Sequence, residues 1–323
     1  MHAVTLHNSI TDVRGVHLGH LTVAESDVQT GLTVILPYPL TQRDRKLFLG
    51  SFAVGNWNEW TGLHVAQDFG TFSSPIVLCN ATTVGIAYDA LITFGHQRDA
   101  GLPIDNAWPP IVIGLDDGYL NDLRQRRIAH DDVLQVLHEA KSIPRHCGSV
   151  GIGRGLCAFG GKGGVGEASC LATVANERYT VGAVLVANGG RLRNYATSTA
   201  FSLTPSLVLI IATDAPLLPE SLRRLAETAM AGLSQFGLAE SGAQQLALAF
   251  STSNTIDHAF EDRFQLFHER WLSHEQLGPL FHAGAETSRE ALRRSLQHAE
   301  AVTGRKGRTL KPVDWQQLLE SQK

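Results

Sequence analysis

The 323-residue chain is poor in cysteine, in clustered charge and in long apolar runs, and each shortage argues against a class of function. Its cysteines are Cys79, Cys147, Cys157 and Cys170, and none forms a CxxC pair. That spacing argues against a zinc ribbon or redox dithiol and leaves four buried, reduced thiols. No basic run stands out against a formal net charge of −4, so neither nucleic acid nor an anionic membrane is an expected partner. No apolar run reaches the roughly 20 residues needed to span a bilayer. Residues 1–12, MHAVTLHNSITD, lack the charged and apolar regions of a signal peptide, and the expected location is the cytoplasm.

Familiar site motifs are missing too. The glycine-rich stretch 148–167, GSVGIGRGLCAFGGKGGVGE, falls short of a P-loop because Leu156 and Gly163 stand where that motif needs glycine and Ser or Thr. Gly153, Gly155 and Ala158 fit GxGxxA, but neither the preceding strand nor the following helix is evident. HExxH is absent, and His17 and His20, three apart in a probable strand, point to opposite faces. Asp116, Asp117, Asn121 and Asp122 in LDDGYLND miss the calcium-loop spacing and read as a polar turn. GxSxG and SxxK are also missing. No metal or other cofactor is expected.

What remains is a chain with 43% hydrophobic and 18% charged residues, enough to bury a large core. GLTVILPY, SPIVLCN, EASCLATVA, YTVGAVLVANGG and QQLALAFST read as strands. VGIAYDALITFG and AHDDVLQVLHEAK read as helices, the second begun by Asp131 and Asp132. Pro219 opens a helix with Leu222, Leu225, Ala226, Ala229, Met230 and Leu233 on its inner face, and a last helical region spans about 276–302. Strands apolar on both sides, mixed with amphipathic helices, predict α+β layers with helices outside. No linker-like shift divides the chain, so residues 1–323 read as one domain.

One stretch asks for a chemical explanation. In TPSLVLIIATDAPL, residues 204–217, a strand of large aliphatic residues is entered through Pro205 and the small hydroxyl of Ser206. Both suit a turn. They also suit a nucleophile: if the chain is cut before Ser206, the new α-amino group, with an ordinary pKa of about 7.7–8.0, becomes the base that takes the hydroxyl proton.

Seven blocks in order, NSITDVRGVHLGHLT, GNWNEWTGLHVAQDFG with SPIVLCNATTVGIAYDALI, DDGYLND, the glycine stretch, VGAVLVANGG, ATDAPLLPESLRRLAETAMAGL and SGAQQLALAFSTSN, resemble the DmpA-type (P1) family. These are self-processing aminopeptidases, also called L-aminopeptidase/D-esterase or β-peptidyl aminopeptidase. The resemblance covers about residues 7–307. It implies a four-layer αββα sandwich similar to N-terminal nucleophile hydrolases but differently connected, and homo-oligomeric assembly. It further implies self-cleavage between Pro205 and Ser206, giving chains 1–205 and 206–323, and metal-free hydrolysis of small peptides, amides or esters. By the same resemblance Ser206 is the nucleophile, Asn188 the oxyanion donor and Ser241 a hydrogen-bond partner of the nucleophile or its amine. Asp116 and Tyr119 are the substrate-binding candidates. Three positions depart from the family pattern: Pro205 replaces a glycine, Ala243 an acid, and Gly114 a glutamate that receives the substrate amine, with Asp116 the nearest substitute. These departures leave a second expectation, an unprocessed relative that binds a small amine or peptide, or is structural, without turnover.

Overall fold

The computed structural model describes residues 5–37, 45–55, 59–99, 109–143, 146–189, 206–236, 244–257 and 268–320. Two sheets form its centre. In chain order the first half contributes β1 (His17–Glu25), β2 (Val28–Leu36), β3 (Arg45–Val54), α1 (Leu63–Phe69), β4 (Thr71–Phe72), β5 (Ile76–Asn80), α2 (Val84–Arg98), β6 (Ile111–Leu115) and α3 (His130–Glu139). The glycine-rich stretch forms a 3-10 turn, Gly151–Gly155, and the short strands β7 (Cys157–Ala158) and β8 (Gly161–Lys162). There follow β9 (Gly164–Val174), β10 (Glu177–Asn188), β11 (Ser206–Thr213), α4 (Pro219–Ala231) and β12 (Gln244–Asp257). The last elements are α5 (Gly278–Gln297), β13 (Val302–Gly304), β14 (Arg308–Leu310) and α6 (Trp315–Glu320).

A four-stranded sheet runs in the order β1-β2-β5-β6 and a six-stranded sheet in the order β4-β3-β12-β11-β10-β9. Pairing is antiparallel except for β5 with β6 and β11 with β12. Alternation along each strand sends side chains into two cores at once. Ile35, Ile76, Leu78, Ile111 and Ile113 of the smaller sheet meet Val184, Val186, Val208, Ile210, Leu246 and Leu248 of the larger one. Leu32, Val34 and Val77 face the other way, against Leu91 of α2 and Val133 and Leu137 of α3. Likewise Leu207, Leu209 and Ile211 face Leu222 and Leu225 of α4 and Leu292 and Leu296 of α5. The result is the αββα sandwich, which is why β2, β5, β6 and β11 are buried along their whole length.

Local chemistry explains the helix starts. Pro219 sits in the first turn of α4, where its missing N–H costs nothing, and the inner face is the one the spacing predicts, with Leu233 buried just beyond the helix. In α3 the Asp132 carboxylate accepts the Ala129 N–H at 2.8 Å, so the acidic pair does begin this helix. The last helical region is shorter than its composition suggests. It stops at Gln297, and Val302 pairs with Leu310 in the β13–β14 hairpin instead. Tertiary packing overrides the helical preference of the alanines near 299–301. All four cysteines are free, Cys170 half-buried and the others buried. Among the described residues no helix is long and apolar enough to cross a membrane.

Candidate active site

The register of two strands sets the geometry. β11 begins at Ser206, which pairs directly with Asn188, the last residue of β10. Both side chains share the face of Val208 and Val186, so they sit at the rim of the core between the sheets. Both are almost fully buried, at 5% and 3% exposure. Directly opposed residues of an antiparallel pair touch, and Asn188 Nδ2 lies 3.2 Å from Ser206 Oγ, to which it donates.

The Asn188 amide is held at both ends. Its Nδ2 also donates to the Asp116 carbonyl oxygen at 2.8 Å, and its Oδ1 accepts the Cys157 N–H at 3.3 Å. A backbone carbonyl only accepts and a backbone N–H only donates, so the two contacts leave one orientation of the amide in which N–H faces Ser206. Asp116 follows β6 of the smaller sheet, and its bond to Asn188 therefore crosses from one sheet to the other.

Cys157 belongs to the glycine-rich stretch, whose purpose becomes visible here. Gly189 N–H donates to the Cys157 carbonyl and Phe159 N–H to the Gly189 carbonyl, tying β7 to the end of β10. A Cβ at Gly163 would lie 2.3 Å from the Ala187 carbonyl oxygen, so the close approach requires glycine. Lys162, fully buried, donates from Nζ to the carbonyls of Gly153 at 2.5 Å, Leu156 at 3.0 Å and Gly163 at 2.8 Å. Burial pulls its ammonium down to about 7. Burial likewise pushes the Cys157 thiol up to about 12, which keeps it protonated and inert.

The DDGYLND turn is more than a surface turn. Asp117 is buried and accepts Thr30 Oγ1 and Asn121 Nδ2, and Thr30 Oγ1 in turn accepts Asn80 Nδ2. Burial pushes the Asp117 carboxyl up to about 7, with the Thr30 and Asn121 hydrogen bonds pulling the other way. This network anchors the turn to β2 and β5. Asp116 has an exposed side chain whose Oδ1 accepts the Gly118 N–H at 2.8 Å. Tyr119 carries the Arg308 guanidinium over its ring, 4.4 Å from the centroid, and packs beside Cys157 and the β13–β14 hairpin. Arg305 and Arg308 donate to the carbonyls of Gly118 and Tyr119, so the hairpin braces this turn.

Of the residues singled out in the sequence, Ser206, Asn188 and the backbone of Asp116 converge, with Tyr119 alongside Cys157. Pro205, Ser241 and Ala243 lie outside the described residues. The Gly114 departure has a structural counterpart: a Cβ there would lie 2.7 Å from Glu59 Cβ and 2.8 Å from Val84 Cγ2, so this backbone has no room for a side chain. Sequence reasoning missed Lys162 and the backbone N–H of Cys157. A lone lysine among glycines was the only signal. Among the described residues no group of three or more His, Cys, Asp or Glu is placed to hold a metal ion.

Comparison with known proteins agrees with this architecture. The model of peptidase family S58 matches residues 8–310. The beta-peptidyl aminopeptidase BapA of Sphingosinicella xenopeptidilytica is 30% identical, over 92% of this chain and 82% of its own. The solved beta-aminopeptidase of Burkholderia sp. has a TM-score of 0.88 at 30% identity, covering 99% of this chain and 95% of that one. The l-aminopeptidase d-ala-esterase/amidase of Ochrobactrum anthropi, described as a variant of the ntn hydrolase fold, has a TM-score of 0.88 at 27% identity, with the same coverage of 99% and 95%. With a family match over nearly its whole length and relatives aligned across both sheets, the chain belongs to peptidase family S58.

Proposed function

We propose that this peptidase is an aminopeptidase/amidase that cuts itself between Pro205 and Ser206 and then uses Ser206 as an N-terminal nucleophile. One observation carries the reading. Among the described residues the partner of Ser206 Oγ is the Asn188 amide, and no imidazole, amine or carboxylate is bonded to it. A serine hydroxyl needs a base, and among the described residues no side-chain base is bonded to this one. The α-amine released by cleavage would be attached to the same residue and meets the need.

In that reaction the Ser206 α-amine takes the Oγ proton as Oγ bonds to the substrate carbonyl carbon. The carbonyl π electrons move to oxygen, and Asn188 Nδ2 donates to that oxyanion. As the intermediate collapses, the bond to the leaving amine or alkoxide breaks and the α-ammonium supplies its proton. Water, deprotonated by the same amine, then attacks the ester carbonyl carbon; the bond from that carbon to Ser206 Oγ breaks, Oγ takes the proton back from the α-ammonium, and the acyl group leaves as a carboxylic acid. Asp116, exposed on the turn that contacts Asn188, is the carboxylate available to a substrate ammonium, with Tyr119 beside it. The relatives named for beta-peptidyl, L-amino-acid and D-alanyl substrates favour small peptides, amides or esters with a free amine. The two pieces, 1–205 and 206–323, would stay joined through the β10–β11 ladder, which runs from Val181 with Thr213 to Asn188 with Ser206.

Intact mass under denaturing conditions tests the reading. The 35.0 kDa chain, divided at residues 205 and 206, predicts fragments of about 22 and about 13 kDa. Ser206→Ala should stay whole and hydrolyse none of an aminoacyl-anilide panel. A wild-type chain that remains at 35.0 kDa after long incubation sinks the self-cleavage and favours ligand binding without turnover.

A further inference from the structure

The fold spends a buried charge beside this site. Lys162 has no exposed surface, and among the described residues all the partners of its Nζ are backbone carbonyls, with no carboxylate among them. A buried ammonium without a counter-ion is costly. Three carbonyl oxygens match its three N–H groups, and these hydrogen bonds offset part of the cost of burying the ammonium.

One of those carbonyls matters more than the others. Leu156 C=O and Cys157 N–H are the two ends of one peptide unit, and in a trans peptide they point in opposite directions. Lys162 Nζ donates to the oxygen end at 3.0 Å, and the nitrogen end donates to Asn188 Oδ1 at 3.3 Å. Asn188 is itself a planar amide, and its far end donates to Ser206 Oγ at 3.2 Å. A line of hydrogen bonds therefore runs from ammonium through peptide and amide to hydroxyl. Each link polarises the next in the same sense, drawing electron density towards the lysine and making the last N–H a better donor.

We propose that Lys162 is a positioning residue for the oxyanion donor, acting through the Leu156–Cys157 peptide to aim and polarise the Asn188 amide at Ser206. This rests on the reading of Asn188 as the oxyanion donor. The carbonyls of Gly153 and Gly163 hold Nζ from the other sides, so that the cation cannot swing away from Leu156. Gly163 N–H donates to the same Leu156 oxygen at 3.0 Å, which fixes the peptide plane further. The lysine touches no reacting atom and is not a catalytic residue.

The experiment is a double-mutant cycle on the full chain with Lys162→Met and Asn188→Ala, assayed with an aminoacyl anilide. Lys162→Met, of similar length without charge or donors, should lower kcat about 10- to 100-fold, as small misplacements of a reacting group do, and leave KM nearly unchanged. In the Asn188→Ala background it should cost nothing more, because the relay has lost its outlet. Lys162→Gln, which keeps two N–H donors but no charge, should fall between and serves if the methionine variant does not fold. A wild-type kcat in Lys162→Met, or an equal loss in both backgrounds, overturns the inference. Wild-type protein that hydrolyses nothing would instead overturn the proposed function. The cycle is then read in urea unfolding, where coupled losses support the relay and additive losses refute it.

Discussion

Replacing Asn188 by alanine should separate catalysis from folding in a way the geometry specifies. The substitution removes the N–H that lies 3.2 Å from Ser206 Oγ, the donor that would meet the oxyanion. Loss of one such donor elsewhere costs about 2.7–4 kcal/mol of transition-state stabilisation, or about 10²- to 10³-fold in kcat. It also strands two backbone groups, the Asp116 carbonyl and the Cys157 N–H, which had bonds of 2.8 and 3.3 Å to the amide. Left unpaired, the buried Cys157 N–H costs about 1–3 kcal/mol of stability, and the part-buried Asp116 carbonyl, within reach of water, costs less. Steady-state kinetics on an aminoacyl anilide and urea unfolding read the two effects independently. The expected pattern is a large fall in kcat with KM little changed, together with a lower unfolding midpoint. Asn188→Asp sharpens the test, since it keeps the shape but turns an acceptor towards the Asp116 carbonyl and Ser206 Oγ. It should be no more active than the alanine variant. An Asn188→Ala enzyme with wild-type kcat, or one whose whole defect lies in KM, would refute the assignment of Asn188 to the transition state.

Three further outcomes follow from the structure. Gly114→Ala places a Cβ 2.7 Å from Glu59 Cβ and 3.1 Å from Ala81 Cα, and overpacking of this kind costs about 1–3 kcal/mol; an unchanged melting temperature would contradict it. Asp117 has a folded pKa raised to about 7 by burial, above its unfolded value of about 3.9. Between those values the folded chain binds more protons, so this group lowers stability as pH rises from about 4 to about 7, by a few kcal/mol in order of magnitude, and the penalty persists above that. Asp117→Asn should flatten this part of the pH profile in urea melts, and an unaltered slope would show that the carboxyl titrates normally. Arg308→Ala removes the cation over Tyr119 and a donor to its carbonyl, which should raise KM more than it lowers kcat; an effect confined to kcat would take Tyr119 out of substrate binding.

Much of the scaffold was legible in local pattern. The alternating and fully apolar strands, the Pro219 start of α4 and its inner face all depend on residues near one another in sequence, where periodicity speaks directly. The hairpin at 302–310 was not, because Val302 and Leu310 form strands only through their pairing with each other against the 118–120 turn. Asp117 read as a turn former because composition cannot tell an exposed aspartate from one buried against Thr30 and Asn121.

The candidate site divides along the same line. By itself the sequence determined the family, the strand opening at Ser206 and the presence of an asparagine in the ANGG block, all carried by short contiguous motifs. Only the tertiary structure decided that Asn188 lies opposite Ser206, that its amide has one orientation, and that a buried lysine stands behind it. Those facts depend on strand register and on backbone groups from Asp116 and Cys157, about 70 and 30 positions away, and a backbone N–H or C=O carries no side-chain signature in the sequence.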